Sequence, residues 1–203
     1  MASATAISLF FAFVVGLYLI EVGGWPIAVI GISSLICAVA YTGGPLPLAY
    51  VGLGDLFVFL FFGLAAVVGT TWVQVHSAPP AAWIGGACTG LLATAILVVN
   101  NLRDRHTDAV ANKRTLAVRF GAKVARIEHA LLIGSAFVLV WLGSAVGWVP
   151  LPWAYISCLC LPLAIHEVRS VHTKDGAELN AHLAGAARLE TCFGLALVVG
   201  SLL

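Results

Sequence analysis

Apolar runs of about twenty residues, the length that crosses a bilayer as a helix, recur seven times along this chain. They cover roughly 4–22, 25–41, 56–75, 81–101, 123–146, 149–168 and 183–203. Backbone N–H and C=O groups in hydrocarbon must be bonded within the spanning structure, so such runs become helices or strands of a closed barrel. None of them alternates with the period of two that a half-buried strand shows. The expected fold is therefore all-α: a polytopic membrane bundle of about seven helices, in one domain over residues 1–203. Composition agrees. The chain is 61% hydrophobic and only 9% charged, against about 25% charged in a soluble domain. The lipid bilayer is then its solvent. The formal net charge of +1 carries no signal for nucleic acid, which is not expected as a partner.

The runs are separated by short breaks. Trp25-Pro26, Pro79-Pro80 and Pro150-Leu151-Pro152 mark three of them. Proline suits a first helical turn, where its missing N–H would be unpaired anyway. Pro162 lies inside the sixth run and is expected to kink it. The first run has no basic residues before it and continues to Val22 without a cleavage site, so it reads as a retained span rather than a signal peptide. The five cysteines all fall in apolar runs, without CxxC pairs or zinc-ligand spacing, and read as packing residues. Gly86-x3-Gly90 and Gly143-x3-Gly147 read as close helix contacts.

The charges are not spread evenly. The first Lys or Arg is Arg103, and the stretch from there to Arg126 holds most of the basic residues; Arg169, Lys174 and Arg188 flank the sixth connection. The connections near 23–24, 76–80 and 147–148 hold none. In a seven-span topology the basic connections share one side, which the positive-inside rule makes cytoplasmic. The N-terminus is then inside, the C-terminus outside, and the connection Tyr41 to Asp55 cytoplasmic, in an inner or plasma membrane.

One segment carries chemistry. The fourth run ends in Asn100-Asn101-Leu102-Arg103-Asp104-Arg105-His106-Thr107-Asp108. On a helix Asp104 and Asp108 fall one turn apart on one face, with Asn100 a further turn back. Like charges at that spacing repel, and a hard cation reverses the sign of that repulsion. Mg²⁺ takes one or two carboxylates together with waters and phosphate oxygens. Lys113, Arg114 and Arg119 follow; they suit phosphate, arginine through its bidentate fork. On composition alone, a solvated loop with ion pairs is an equally good reading.

The longer string is more specific. From Asn100 to Asp108, then Lys113-Arg114-Thr115-Leu116-Ala117-Val118-Arg119-Phe120-Gly121, it resembles the second aspartate-rich motif of the UbiA superfamily of membrane prenyltransferases, in its 1,4-dihydroxy-2-naphthoate branch. Tyr41-Thr42-Gly43-Gly44-Pro45-x-Pro47-x2-Tyr50-x-Gly52-Leu53-Gly54-Asp55 resembles an earlier cytoplasmic loop of that branch. The family has Gly before the Lys-Arg pair where this chain has Asn112, the next most tolerant residue for a left-handed turn. The family also has nine helices and a first aspartate-rich motif between helices two and three. This chain contains no such motif, and its spans resemble helices three to nine, so the domain is expected to be N-terminally incomplete.

The resemblance implies transfer of a polyprenyl or phytyl group from its diphosphate to 1,4-dihydroxy-2-naphthoate, with loss of CO₂, in menaquinone or phylloquinone biosynthesis. It implies Mg²⁺ as cofactor, with Asp104 and Asp108 as metal ligands and catalytic residues. Asn100, Asn101, Arg103, Lys113 and Arg114 would orient the motif or hold polyprenyl diphosphate; Tyr41, Tyr50 and Asp55 would line the acceptor side. The alternatives are an inactive prenyl-diphosphate-binding or assembly protein of the same family, and a prenyltransferase with another aromatic acceptor. Blander roles stand beside these. Tyr41 and Tyr50 suit an interfacial belt, Asp55 a helix cap, and Arg119, Lys123 and Arg126 topology or headgroup contacts. His76 and His129 suit ordinary polar positions. The stretch His166 to His182 suits either a cytoplasmic lid or a plain connector.

Overall fold

The computed structural model describes residues 2–43 and 47–203; Met1, and Gly44 and Pro45 of the earlier string, lie outside them. Among these described residues seven helices follow one another: α1 (Ala2–Gly23), α2 (Trp25–Thr42), α3 (Gly54–Val75), α4 (Pro80–Val110), α5 (Leu116–Ala145), α6 (Leu151–Thr173) and α7 (Asn180–Ser201). No strand occurs among the described residues. Six helical stretches among the described residues are long and apolar enough to span, while Trp25–Tyr41 in α2 is apolar but shorter. The chain is a multi-pass helical membrane bundle, as the apolar runs predict.

The core lies where α4 meets α5 and α7. Cys88, Leu92 and Ala95 of α4 pack with Ile133, Ala136 and Val140 of α5 and with Leu189 and Phe193 of α7. Phe137 and Phe193 meet edge to face, their ring centroids 5.0 Å apart. Lipid is as apolar as these side chains, so close packing rather than water exclusion holds such helices together. Glycine sets the closest approach. Gly63 of α3 lies against Gly86 and Gly90 of α4, and a Cβ at Gly90 would come within 2.7 Å of the Phe59 carbonyl. The Gly86-x3-Gly90 expectation therefore holds. Gly143-x3-Gly147 divides: Gly143 packs on Ile84, whereas Gly147 sits at φ 75° in the turn after α5, where an added Cβ would meet no other residue.

Three helices depart from regular α geometry. α3 is π-helical over Phe59–Ala65, opposite the two α4 glycines; such insertions gather at functional sites. α6 tightens to a 3₁₀ turn at Cys158–Cys160, just before Pro162, whose ring cannot continue the ladder. α5 is broken by Gly121, at φ 81° and ψ 173°. Its first turn, capped by the Thr115 hydroxyl accepting from the Val118 N–H at 3.3 Å, thus stands apart from the spanning part, which the apolar run places from 123.

Candidate functional site

α4 runs past the end of its apolar run to Val110, so Asn100, Asp104 and Asp108 do share a helix face. Arg103 closes on that face. Its Nε donates to Asp104 Oδ1 at 2.7 Å and an Nη to Asp104 Oδ2 at 2.6 Å. The same Nη donates to Asn100 Oδ1 at 2.9 Å, and the other to Asn180 Oδ1 at 3.0 Å. Hydrogen bonding to the guanidinium, with its charge and that of Lys113, holds the Asp104 carboxyl below the usual carboxylate range. Lys113 Nζ reaches Asp108 Oδ2 at 3.1 Å. It does so because the chain reverses at Asn112, at φ 56°, while the Lys113 N–H donates to the Asp108 carbonyl at 2.8 Å. Asparagine meets the left-handed requirement, as the sequence leads one to expect.

The two sequence strings meet in space. The Arg114 N–H donates to the Tyr50 carbonyl at 2.9 Å, and Arg119 donates to the Val51 carbonyl at 2.8 Å. Between them Gly52, at φ 80°, lies so close that a Cβ would stand 2.8 Å from the Arg114 carbonyl. Arg119, read as a topology determinant, is thus also a brace between the two cytoplasmic connections. The Arg114 side chain is exposed and, among the described residues, bonded to nothing.

The remaining expected residues divide. The Tyr41 hydroxyl lies 3.2 Å from where a Gly54 Cβ would be, next to Asp55. Asp55 does not cap α3: the N-cap is Leu53, without a side-chain bond. Its Oδ1 is instead buried with no partner among the described residues. Tyr50 engages Arg114 through its backbone, and its side chain is exposed. Asn101 is buried, and its Oδ1 has no partner among the described residues.

The connection between α6 and α7, singled out in the sequence as a stretch but without partners, supplies bonds to the end of α4. Besides Asn180 on Arg103, Asp175 pairs with Arg105 at 2.9 Å. Behind them lies a buried chain, Lys174 Nζ to His182 Nε2 at 2.8 Å and His182 Nδ1 to Glu167 Oε2 at 2.8 Å. An ammonium only donates, so Nε2 accepts and Nδ1 carries the proton toward Glu167. Arg126, another expected surface charge, donates to the Val171 and Lys174 carbonyls at 3.1 and 2.8 Å. The stretch 166–182, with Asn180, is therefore tied to the end of α4 and to α5 by these bonds. His129 is fully buried, with both ring nitrogens unpartnered among the described residues. No sequence pattern marks these partners, because they lie on helices distant in the chain.

Two cavities adjoin this end of the bundle. The larger, about 630 Å³, lies between α2 and α3 and is walled by Tyr41, Phe57, Phe61 and Phe62 with smaller residues. The smaller, about 390 Å³, lies between α3, α4 and α7; Asn100 and Glu190 are its polar residues. Val58 and Phe62 belong to both and form the partition.

Among the described residues no three His, Cys, Asp or Glu side chains converge. The donor set still suits Mg²⁺, which needs only one or two carboxylates beside water and phosphate oxygens. Asp104 and Asp108 are partly solvent-exposed. A carboxylate has about four lone-pair sites, so the bonds from Arg103 and Lys113 leave acceptor capacity free.

Fold and composition together define a multi-pass membrane protein with a carboxylate pair and its cations at one end of a spanning helix. The UbiA prenyltransferase family model matches residues 1–189, and the chain belongs to that family. It is 38% identical over 177 residues to a 1,4-dihydroxy-2-naphthoate octaprenyltransferase of Haemophilus influenzae, covering 84% of this chain and 57% of that protein. Proteins of the same description from Escherichia coli and Mycobacterium tuberculosis are 39% and 40% identical, covering 70% and 76% of this chain and 46% and 52% of theirs. The chain thus spans about half the length of these curated relatives. No solved structure matches it.

Proposed function

We propose that this protein takes part in transferring a polyprenyl group from its diphosphate to 1,4-dihydroxy-2-naphthoate, with loss of CO₂, on the cytoplasmic side of the membrane. The observation that carries the reading is the Arg103 clasp on Asp104 and Asn100, with Lys113 on Asp108 one turn away. The relatives named for this transfer agree with it.

Asp104 and Asp108 would hold Mg²⁺, which when bound supplies positive charge to a leaving diphosphate. Arg103 keeps the Asp104 carboxylate aimed and ionised. The free Arg114 guanidinium and the Lys113 ammonium lie close enough in sequence and turn geometry to receive phosphate oxygens. The junction of Tyr50, Val51 and Gly52 with Arg114 and Arg119 fixes the loop that presents these cations. The larger apolar cavity suits the isoprenoid chain, since it offers ring faces and no charged group.

The test is an assay of membranes holding the protein with 1,4-dihydroxy-2-naphthoate, a polyprenyl diphosphate and Mg²⁺. The reading expects a decarboxylated, prenylated product that disappears with EDTA and in Asp104→Ala plus Asp108→Ala. Diphosphate binding without product would leave a binding protein of the same family. Product formation unaffected by the double substitution would remove the proposed site.

A further inference from the structure

One ionisable side chain at membrane depth is given no role by the diphosphate site. Glu190 lies in the middle of α7, ten residues from Asn180, which at 1.5 Å per residue is about 15 Å along the helix. Among the described residues it makes no hydrogen bond and no ion pair. An ionisable group inside a membrane is costly unless it is paired or faces a polar cavity. Glu190 faces the smaller cavity.

The shape of that cavity follows from two antiparallel helices. α4 contributes Ala93 through Asn100 and α7 contributes Leu183 through Glu190, a span of seven residues each, or about 10 Å. The bond from Arg103 to Asn180 sets their register. Asn100 and Glu190 therefore stand at opposite ends of one slot, and the walls between them are apolar, with the Phe62 ring among them. Asn100 is tied to Arg103, so its end of the slot opens on the diphosphate site.

The geometry points to this slot as the seat of the aromatic acceptor, with Glu190 as the residue that recognises a ring hydroxyl. An apolar ring with polar groups at both ends matches an apolar slot with polar groups at both ends. The hydroxyl bonds the Glu190 carboxyl. The acceptor's carboxylate turns to the other end, because Arg103 attracts it there and a second acid in the dry end would repel it. An isoprenoid chain in this slot would leave Glu190 buried without a partner, whereas the neighbouring cavity takes the chain without that penalty. The partition of Val58 and Phe62 then sets chain and ring side by side. This inference rests on the prenyl transfer proposed above.

The experiment measures equilibrium binding to the purified full chain in lipid nanodiscs, with three probes: 1,4-dihydroxy-2-naphthoate, 2-naphthoate and geranyl diphosphate with Mg²⁺. The native chain is expected to bind the dihydroxylated ring at least about tenfold more tightly than 2-naphthoate, the worth of one hydrogen bond to a charged group. Glu190→Ala removes most of that discrimination and Glu190→Gln, which keeps the shape, reduces it; both bind geranyl diphosphate as the native chain does. Unchanged discrimination in Glu190→Ala overturns the inference and leaves the proposed reaction standing. If the native chain binds geranyl diphosphate but neither ring, both the slot and the acceptor reading fall. Binding of none of the three probes removes the prenyl transfer itself.

Discussion

Arg103 and Asp104 are neighbours in sequence, yet the guanidinium of one closes on the carboxylate of the other with two bonds, at 2.7 and 2.6 Å. That pairing needs an outside anchor, since adjacent side chains on a helix do not face each other. The anchor is Asn180, 77 positions away. Arg103→Lys keeps the charge but loses the fork. Two charge-assisted bonds are then weakened, and prenyl transfer in initial-rate assays is expected to fall roughly 100-fold, each such bond being worth about 1.5–3 kcal/mol. Asn180→Ala frees one arm only and should cost about tenfold or less. Equal rates in native and Arg103→Lys membranes would show that the clasp is idle.

The acidic limb of any pH dependence should lie unusually low. Asp104 is held below its ordinary range chiefly by the Arg103 bond. A depressed carboxyl contributes to stability and metal affinity above its unfolded value, near pH 3.9, and loses that contribution only as pH falls through the lower folded value. The difference in thermal stability between native protein and Asp104→Asn is therefore expected to stay flat from pH 8 to 5 and to vanish only below about pH 3.9. A difference that fades between pH 7 and 5 would contradict the clasp.

Lys113 and Asp108 lie 3.1 Å apart across the Asn112 turn. A double-mutant cycle with Asp108→Asn and Lys113→Met, read on Mg-dependent diphosphate binding, should return a coupling of about 0.5–3 kcal/mol, as contacting residues do. Additive effects would mean that the two residues act apart.

His182→Ala should destabilise the bundle through its neighbour. Glu167 is buried and bonded to His182, and leaving a buried polar group unsatisfied costs about 1–3 kcal/mol. The melting temperature in detergent should drop, and Glu167→Gln should drop it less in the His182→Ala background than in the native chain. A fall of equal size in both backgrounds would refute the coupling.

The large features were legible because hydrocarbon leaves few choices. Continuous apolar runs mark where the spans lie, Pro162 marks where α6 leaves regular α geometry, and the four-residue spacing of Asp104 and Asp108 places them one turn apart on a helix that reaches Val110. What stayed hidden was relational. Asn180 and Asp175 look like ordinary polar residues until α7 returns beside α4. Glu190 sits in an apolar run without any pattern around it. Of the two roles the sequence offers Asp55, acceptor side or cap, the cap falls away, because position after a glycine suggests capping while only packing shows that Leu53 takes that place. The π segment had no signal at all, for its cause is the absence of side chains on another helix.

That segment bears on how such a protein could change its substrate. Where Gly63 crosses Gly86 and Gly90, main chain rests on main chain, and the same stretch of α3 carries Phe62, half of the wall between the two cavities. No rotamer change can shift a wall held in this way. Gly63→Ala would force the helices apart and is expected to destabilise by about 1–3 kcal/mol, measurable as a lower melting temperature, before it altered either chamber usefully. Adaptation to longer or shorter isoprenoids would have to proceed at the far side of the larger chamber, through Ser34, Cys37 and Ala38. On the proposed assignment of the two cavities, drift in chain length and drift in ring preference would be uncoupled.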